Sequence, residues 1–195
     1  MSRRILIADL HPARLSLSAA LAQAYRDGAT GAGHQIRTAA LSEMQFNPDF
    51  GQASFRAAPA LEPDLVTFRE NLTWAQHVVL ITPMWWGGLP ARTKGLFDRT
   101  LLPGYAFDPR QKHMGVPKPL LSGRSARLIL TSDTPGWAFA LMYRRALKHQ
   151  VQRQILGYVG IKPMAFTHFS PVERSSDTIR ARWLAQIEAL GATAG

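Results

Sequence analysis

The residues best suited to chemistry lie in three short segments of similar setting. The run Pro83-Met84-Trp85-Trp86-Gly87-Gly88-Leu89-Pro90 follows the apolar stretch His77-Val78-Val79-Leu80-Ile81-Thr82, and a helical pattern starts just beyond it. In an open parallel α/β sheet, the crevice between strand end and helix start is where ligands bind. Two adjacent tryptophans there suit a flat aromatic ligand better than bare phosphate; the alternative is that they fill core or a subunit interface. A second segment, His11-Pro12-Ala13-Arg14-Leu15-Ser16-Leu17-Ser18, links an apolar run to a helix start. Free backbone N–H groups and the helix dipole favour an anion at such a place. Ser16 and Ser18 add hydroxyl donors, and His11 and Arg14 add positive charge. The third segment, Ser132-Asp133-Thr134-Pro135-Gly136-Trp137, brings small hydroxyls, a carboxylate and a glycine directly after a strand pattern. Asp133 or Thr134 there also reads as the cap of the next helix.

Composition narrows the chemistry. At 195 residues the chain is expected to form a single domain over residues 1–195, large enough to bury a core without staples. It has no cysteine, which excludes disulfides, thiolate catalysis and cysteine-ligated metal centres. No metal site is expected. There is no Walker A motif and no Gly-x-Gly-x-x-Gly fingerprint, which argues against nucleoside triphosphate hydrolysis. No signal peptide and no apolar stretch of about 20 residues is visible, so a soluble, cytoplasmic protein without a transmembrane segment is expected. The net charge of +10 attracts anions. Its densest cluster, Arg144, Arg145, Lys148, His149 and Arg153, reads either as a solvated helix face or as a site for a phosphate-bearing ligand. No nucleic-acid-binding motif accompanies it, so no nucleic-acid partner is expected.

The elements that must position these loops follow from periodicity. Residues 4–9 read as a buried strand, and 16–27 as a helix with Leu17, Ala20, Leu21 and Ala24 on its apolar face and Ser16 as N-cap. A glycine-rich break precedes a second strand over 34–41. Residues 42–60 show no period and are expected to form a long loop, functional or mobile. A helix over 62–75, a third strand over 77–82 and a helix over 89–101 follow, with Pro90 in a first turn, where proline is tolerated. Residues 102–122 form a second excursion. Then come a strand over 125–131, a turn over 132–136, one long helix over 137–156, a strand over 164–169 and a closing helix over 175–190. Strict alternation predicts a parallel sheet covered on both faces. With right-handed crossovers this is a flavodoxin-like three-layer α/β/α sandwich, five strands in the order 2-1-3-4-5, with all three segments at one carboxyl edge.

Taken together, the segments resemble the flavodoxin-like NAD(P)H:quinone oxidoreductase family, in order along nearly the whole chain. That family opens with His-Pro-x-x-x-Ser-hydrophobic-Ser/Asn, matched by His11-Pro12 and Ser16-Leu17-Ser18. Its Phe-Asn-Pro stretch is matched by Phe46-Asn47-Pro48. Its most specific element, Pro-x-x-Trp-x-x-x-Pro-Ala-x-x-Lys-Gly-aromatic-Phe-Asp-Arg, is matched by Pro83, Trp86, Pro90, Ala91, Lys94, Gly95, Phe97, Asp98 and Arg99, with Leu96 in place of the aromatic. Gly104-Tyr105-Ala106-Phe107 matches the Gly-aromatic-Ala-aromatic stretch that follows. The third loop departs from the family's Thr-Thr-Gly-Gly-like sequence. Tyr143 and His149 do not align with its later Tyr and His without gaps, so no catalytic residue is assigned.

The resemblance implies a non-covalent flavin, FAD or FMN, with Phe46-Asn47-Pro48 leaning toward FAD. Its phosphate would rest on His11, Ser16, the Leu17 amide and Ser18. Pro83, Met84, Trp85 and Trp86 would line the ring, and Ser132, Asp133, Thr134 and Gly136 would close over its polar edge. Asp133 would oppose the charge of a reduced ring unless its carboxylate turns away. NAD(P)H would deliver hydride, and a quinone or similar flat acceptor would take the electrons in the same pocket, a ping-pong scheme. Tyr105, Phe107 and Trp137 would line that substrate pocket, in a symmetric homodimer. Two other roles go with the resemblance: a flavodoxin-type electron carrier, although those are usually acidic, and a regulatory subunit of a potassium efflux antiporter, docked through the Arg144-to-Arg153 face.

Overall fold

Alternating burial builds the sheet. The computed structural model describes residues 2–194. Along the chain it has β1 (Arg4–Asp9), α1 (Leu17–Gly31), β2 (Gln35–Ala40), α2 (Pro63–Trp74), β3 (His77–Pro83) and α3 (Ala91–Thr100). Then follow β4 (Phe107–His113), β5 (Val116–Pro119), β6 (Ser125–Thr131), α4 (Gly136–Leu141), α5 (Ala146–His149), α6 (Gly157–Val159), β7 (Met164–Phe169) and α7 (Asp177–Thr193). Five strands form a parallel sheet in the order β2-β1-β3-β6-β7. Discounting the β4–β5 hairpin, that is the expected 2-1-3-4-5.

Successive side chains on a strand point to opposite faces. Leu6, Ala8, Val78, Leu80, Leu128 and Leu130 therefore face one way, where Leu65, Phe68 and Leu72 of α2, Leu96 of α3 and Leu147 of α5 cover them. Ile5, Ile7, Val79, Ile81 and Ile129 face the other way, against Leu21 and Tyr25 of α1 and Ile187 of α7. The α1–α7 pair packs backbone to backbone: a Cβ on Gly28 would stand 1.9 Å from the Glu188 carbonyl oxygen, and one on Gly191 would stand 2.2 Å from that of Tyr25.

Three expectations need correction. The 102–122 excursion contains an antiparallel hairpin, β4–β5, turning at Met114-Gly115. The single long helix over 137–156 is broken. α4 ends at Leu141, and Arg144 (φ 48) and Arg145 (φ 52) are left-handed. The Arg145 amide donates to the Phe139 carbonyl at 2.8 Å, and that of Ala146 to Tyr143 at 2.9 Å. The turn lets Phe139 and Leu147 both bury in the same core, which then continues under a π-helical segment, Gln150–Leu156. The basic residues of this region therefore do not share one helix face. Lys148 instead sits over the Phe166 ring, 5.6 Å from its centroid.

The 42–60 loop is tied down rather than loose. Gly95 lets it approach α3, because a Cβ there would lie 2.5 Å from the Pro48 Cβ and 2.6 Å from its carbonyl oxygen. The buried Arg99 side chain donates to the carbonyls of Asn47 and Ala60 and to both oxygens of Glu62.

Candidate active site

The three loops meet in one groove of about 270 Å³ at the carboxyl edge of the sheet. It is lined by His11, Leu15 to Ser18, Pro83, Met84, Trp85, Thr131 to Asp133 and Val172. The sheet's hydrogen bonding runs on into these loops and fixes their bases. Leu10 N donates to Ile81 O (2.8 Å), Met84 N to Thr131 O (2.8 Å) and Ser132 N to Phe169 O (3.1 Å). Thr93 of α3 anchors the first loop by donating to Leu10 O at 2.8 Å.

The first loop ends at the start of α1, where an anion could be cradled. Ser16 caps α1, its Oγ accepting from Ala19 N at 3.1 Å. The first-turn amides of Leu17 and Ser18 have no intrahelical acceptor and point outward. Ser18 is 1% exposed, lines the groove, and its hydroxyl has no protein partner. A buried hydroxyl left unmatched costs about 1–3 kcal/mol, so its place in a groove makes it a candidate for a ligand contact. His11 is held from both sides. Its amide donates to Asp9 Oδ1 (3.1 Å), and its Nδ1 accepts from Ala13 N (3.0 Å). The same Nδ1 lies 3.2 Å from the Ala13 carbonyl oxygen. The ring packs edge-on to Trp85 at 5.8 Å. Burial pushes the Asp9 carboxyl up, and the His11 amide partly offsets that.

The tryptophan loop is a tight hairpin. Trp85 and Gly88 exchange hydrogen bonds of 3.0 and 2.9 Å across Trp86 (φ 52) and Gly87 (φ 74). Positive φ at both central positions defines a type I′ turn, where Asn-Gly is the usual pair and a bulky residue is an outlier. Trp86 holds this conformation while wholly exposed, at 106%. Trp86 lines a second compartment of about 410 Å³, together with Met84, Gly87, Thr134, Phe139, Tyr143, Ala146 and Leu147. Met84 borders both spaces, so groove and compartment adjoin.

In the third loop Asp133 lines the groove and is tied to the next loop. Its Oδ1 accepts from Glu173 N at 2.6 Å, pinning the loop after β6 to the one after β7. Ser132 shares a 2.8 Å hydrogen bond with Nε2 of His168 on β7. Burial pushes the His168 pKa down, so the ring is neutral near pH 7. Sequence reasoning gives His168 only as part of the strand over 164–169; no local pattern pairs it with Ser132, 36 positions earlier. Thr134 lines the compartment rather than the groove, and Gly136 begins α4.

The expected substrate-pocket residues are not brought together. The Tyr105 hydroxyl donates to Arg69 O at 2.8 Å, and Arg69 stacks over its ring at 4.5 Å, so Tyr105 braces α2. Phe107 meets Tyr158 edge-on at 5.2 Å in a separate cavity of about 290 Å³ beside α3. Trp137 stands exposed at the start of α4 and lines neither groove nor compartment.

Sheet order and groove together define a doubly wound parallel α/β protein with its ligand site at the strands' carboxyl ends. A family model described as flavodoxin-like fold matches residues 3–190, and the chain belongs to that family. Among curated proteins it is 28% identical over 124 residues to NAD(P)H dehydrogenase (quinone) 1 of Rattus norvegicus, covering 54% of this chain and 45% of that one. It is 30% identical over 113 residues to FMN-dependent NADH:quinone oxidoreductase 1 of Bradyrhizobium diazoefficiens, covering 57% and 52%. The chain thus spans about half the length of these relatives. Among solved structures, Smu.1420 of Streptococcus mutans superposes with a TM-score of 0.83 at 27% identity, over 97% of this chain and 99% of that one.

The residues present fit a flavin nucleotide. The cradle offers two outward amides and an orphaned buried hydroxyl for a phosphate. The adjoining strand-end backbone and apolar compartment offer a bed for a flat ring, and Asp133, at the groove's edge, has its Oδ1 engaged by Glu173 N.

Proposed function

We propose that the protein is a flavin-dependent NAD(P)H oxidoreductase that reduces a quinone or similar flat acceptor. Ser16, Ser18, the Leu17 amide and His11 would hold the phosphate, and Pro83 to Trp86 would lie along the ring. The bound flavin supplies the chemistry, accepting hydride from one partner and passing electrons to the next. The chain's own part would be to orient the ring, hold Asp133 through its bond from Glu173 N, and present an apolar compartment against the ring's face. Because donor and acceptor would use one compartment in turn, the scheme is ping-pong.

The observation that carries this reading is the buried, unpartnered Ser18 hydroxyl at a helix start, in a groove shared by all three strand-end loops. Relatives named as quinone oxidoreductases support it. FAD is placed first on Phe46-Asn47-Pro48, whereas FMN is in the name of the Bradyrhizobium relative. Mass spectrometry of the released chromophore decides between them. Trp137, Leu141 and Met142 stand 64%, 75% and 63% exposed near the compartment, which supports a homodimer that covers them. Light scattering reads that directly.

The test is stopped-flow. Protein purified with its chromophore is mixed anaerobically with NADH or NADPH, then with 2-methyl-1,4-naphthoquinone. Bleaching on the first mix and recovery on the second are expected, with parallel double-reciprocal lines in steady state. A colourless protein that binds neither FAD nor FMN would end the proposal.

A further inference from the structure

Resting on that reading, we infer that His168 is a positioning residue of the site: through its hydrogen bond to Ser132 it sets whether that hydroxyl accepts from, or donates to, the ligand in the groove. Ser132 lines the groove and is buried. Both of its backbone groups are spent, the amide on Phe169 O at 3.1 Å and the carbonyl on Val172 N at 3.2 Å. The hydroxyl is therefore the polar group that this residue can offer a ligand. It meets Nε2 of His168 at 2.8 Å and stands 3.4 Å from Thr134 O, a long contact. His168 itself lines neither groove nor compartment. Its ring centroid lies 4.7 Å from that of Phe139, which lines the compartment.

A serine hydroxyl has one proton and two lone pairs, and an imidazole nitrogen either accepts or donates. With Nε2 accepting, the Ser132 proton is spent on the ring, and a ligand finds only lone pairs. With Nε2 donating, the proton is free for an acceptor in the groove. A protonated imidazole can only donate, so charging His168 fixes the second arrangement and sets a positive charge one hydrogen bond away. A negatively charged ligand gains from both. By reciprocity, such a ligand tightens the hold of His168 on its proton, and its own affinity rises as pH falls through the His168 pKa. The charged groups on the elements around His168 are Asp133 after β6, Arg144 and Arg145 between α4 and α5, Lys148 and His149 of α5, and Glu173 and Arg174 after β7; α4 carries none. Asp133 is engaged by Glu173 N, and Lys148 sits over Phe166. Burial alone pushes the His168 pKa down, so the ring without ligand is neutral near pH 7 and has a proton to gain.

The experiment titrates FMN into flavin-free wild type, His168→Gln and Ser132→Ala, with dissociation constants read from quenching of the FMN fluorescence at about pH 7.5 and about pH 5. Glutamine keeps a donor and an acceptor but takes no charge. Ser132→Ala leaves His168 in place and cuts its link to the groove. Protonation of the FMN phosphate over this range acts on all three proteins alike, so it cancels in the ratio of variant to wild type. That ratio is expected to grow about fivefold from the higher pH to the lower in both variants. In parallel, proton NMR should show the His168 ring titrating at higher pH once FMN is bound to wild type, and no such shift in Ser132→Ala. A His168 that only supports the fold would change affinity by the same factor at both pH values. The same pH dependence in all three proteins, or a His168 titration that FMN leaves unmoved, overturns this inference and leaves the flavin reading standing. Failure of wild type to bind FMN or FAD at either pH overturns the flavin reading and this inference with it.

Discussion

Arg99 and Glu62 lock together under the loop that borders α3. The Arg99 side chain is 2% exposed, and its Nη1 and Nη2 donate to the two Glu62 oxygens at 3.2 and 2.8 Å. Asn47 N donates to the same carboxylate at 3.0 Å. Burial raises the Glu62 pKa, but the amide contacts and Arg99 pull it net below its usual value. A carboxyl held low stabilises the fold above its ordinary pKa, and that contribution fades as pH falls through the folded value.

Arg99→Met should therefore be costly. It strands a partly buried carboxylate and the carbonyls of Asn47 and Ala60 together, for a loss of about 3 kcal/mol. Glu62→Gln should cost a similar amount, about 3 kcal/mol, because it leaves the buried Arg99 charge without its counter-ion and turns one acceptor oxygen into an NH2 that faces a donor. Urea denaturation gives both values, and limited proteolysis should show cleavage within residues 42–60 in both variants. An Arg99→Met protein as stable as wild type would show that the pair does not tether the loop.

Ser18→Ala separates binding from stability. The hydroxyl has no protein partner, so its removal relieves an unmatched buried group, and the flavin-free protein should be as stable as wild type or slightly more so. Flavin affinity should fall roughly 10- to 100-fold, the worth of one hydrogen bond to a charged phosphate. Ser16→Ala differs, because it also removes the α1 cap and lowers stability by about 1 kcal/mol. Thermal melts with and without flavin distinguish the two. Equal flavin affinity in wild type and Ser18→Ala would remove the hydroxyl from the site.

The contrast between what the chain announces and what it conceals follows local against long-range physics. β1, β6 and β7 read directly because Ile5-Leu6-Ile7, Leu128-Ile129-Leu130 and the Met164–Phe169 stretch are short apolar runs between turn signals, and the sheet order follows from alternation. The Ser16 cap and the start of α1 read equally well, since both are local. The β4–β5 hairpin did not, because most of its residues are exposed on both faces and leave no alternation. Nor did the helix break. Arginine is a good helix former, and only the packing of Phe139 and Leu147 requires two of them to turn left-handed. The Ser132–His168 and Asp133–Glu173 contacts join loops some 40 positions apart, so they exist only once β6 and β7 lie side by side.

Acid should weaken the fold from its amino edge. His77 is 3% exposed at the start of β3, its Nδ1 paired with Ser125 at 2.8 Å. Burial, followed by the positive fields of Arg3, Arg127 and His34, pushes its pKa down to about 4. Because the unfolded chain binds the proton near pH 6.5 and the folded one only near 4, stability declines as pH falls through that window. The full effect is about 3 kcal/mol, and His168, also held low by burial, adds in the same direction. Denaturation midpoints between pH 7 and 4, with the His77 ring proton followed by NMR, check this. A His77 resonance titrating near pH 6.5 would contradict it.

Trp86→Gly tests whether the strained indole is kept for ligand. Glycine accepts the left-handed conformation freely, so the exchange relieves about 1 kcal/mol of backbone strain. Trp86 is wholly exposed, so almost no burial is lost in return. The flavin-free variant should therefore melt at the same temperature or a few degrees higher. Its acceptor KM should rise several-fold, because the compartment loses its largest flat wall, while Ser18 and the cradle leave flavin affinity nearly unchanged. A variant that loses stability and keeps its KM would make Trp86 a structural residue, with the strain offset by a contact across a subunit interface. Both readouts come from one preparation, with melts and initial rates taken at the same salt.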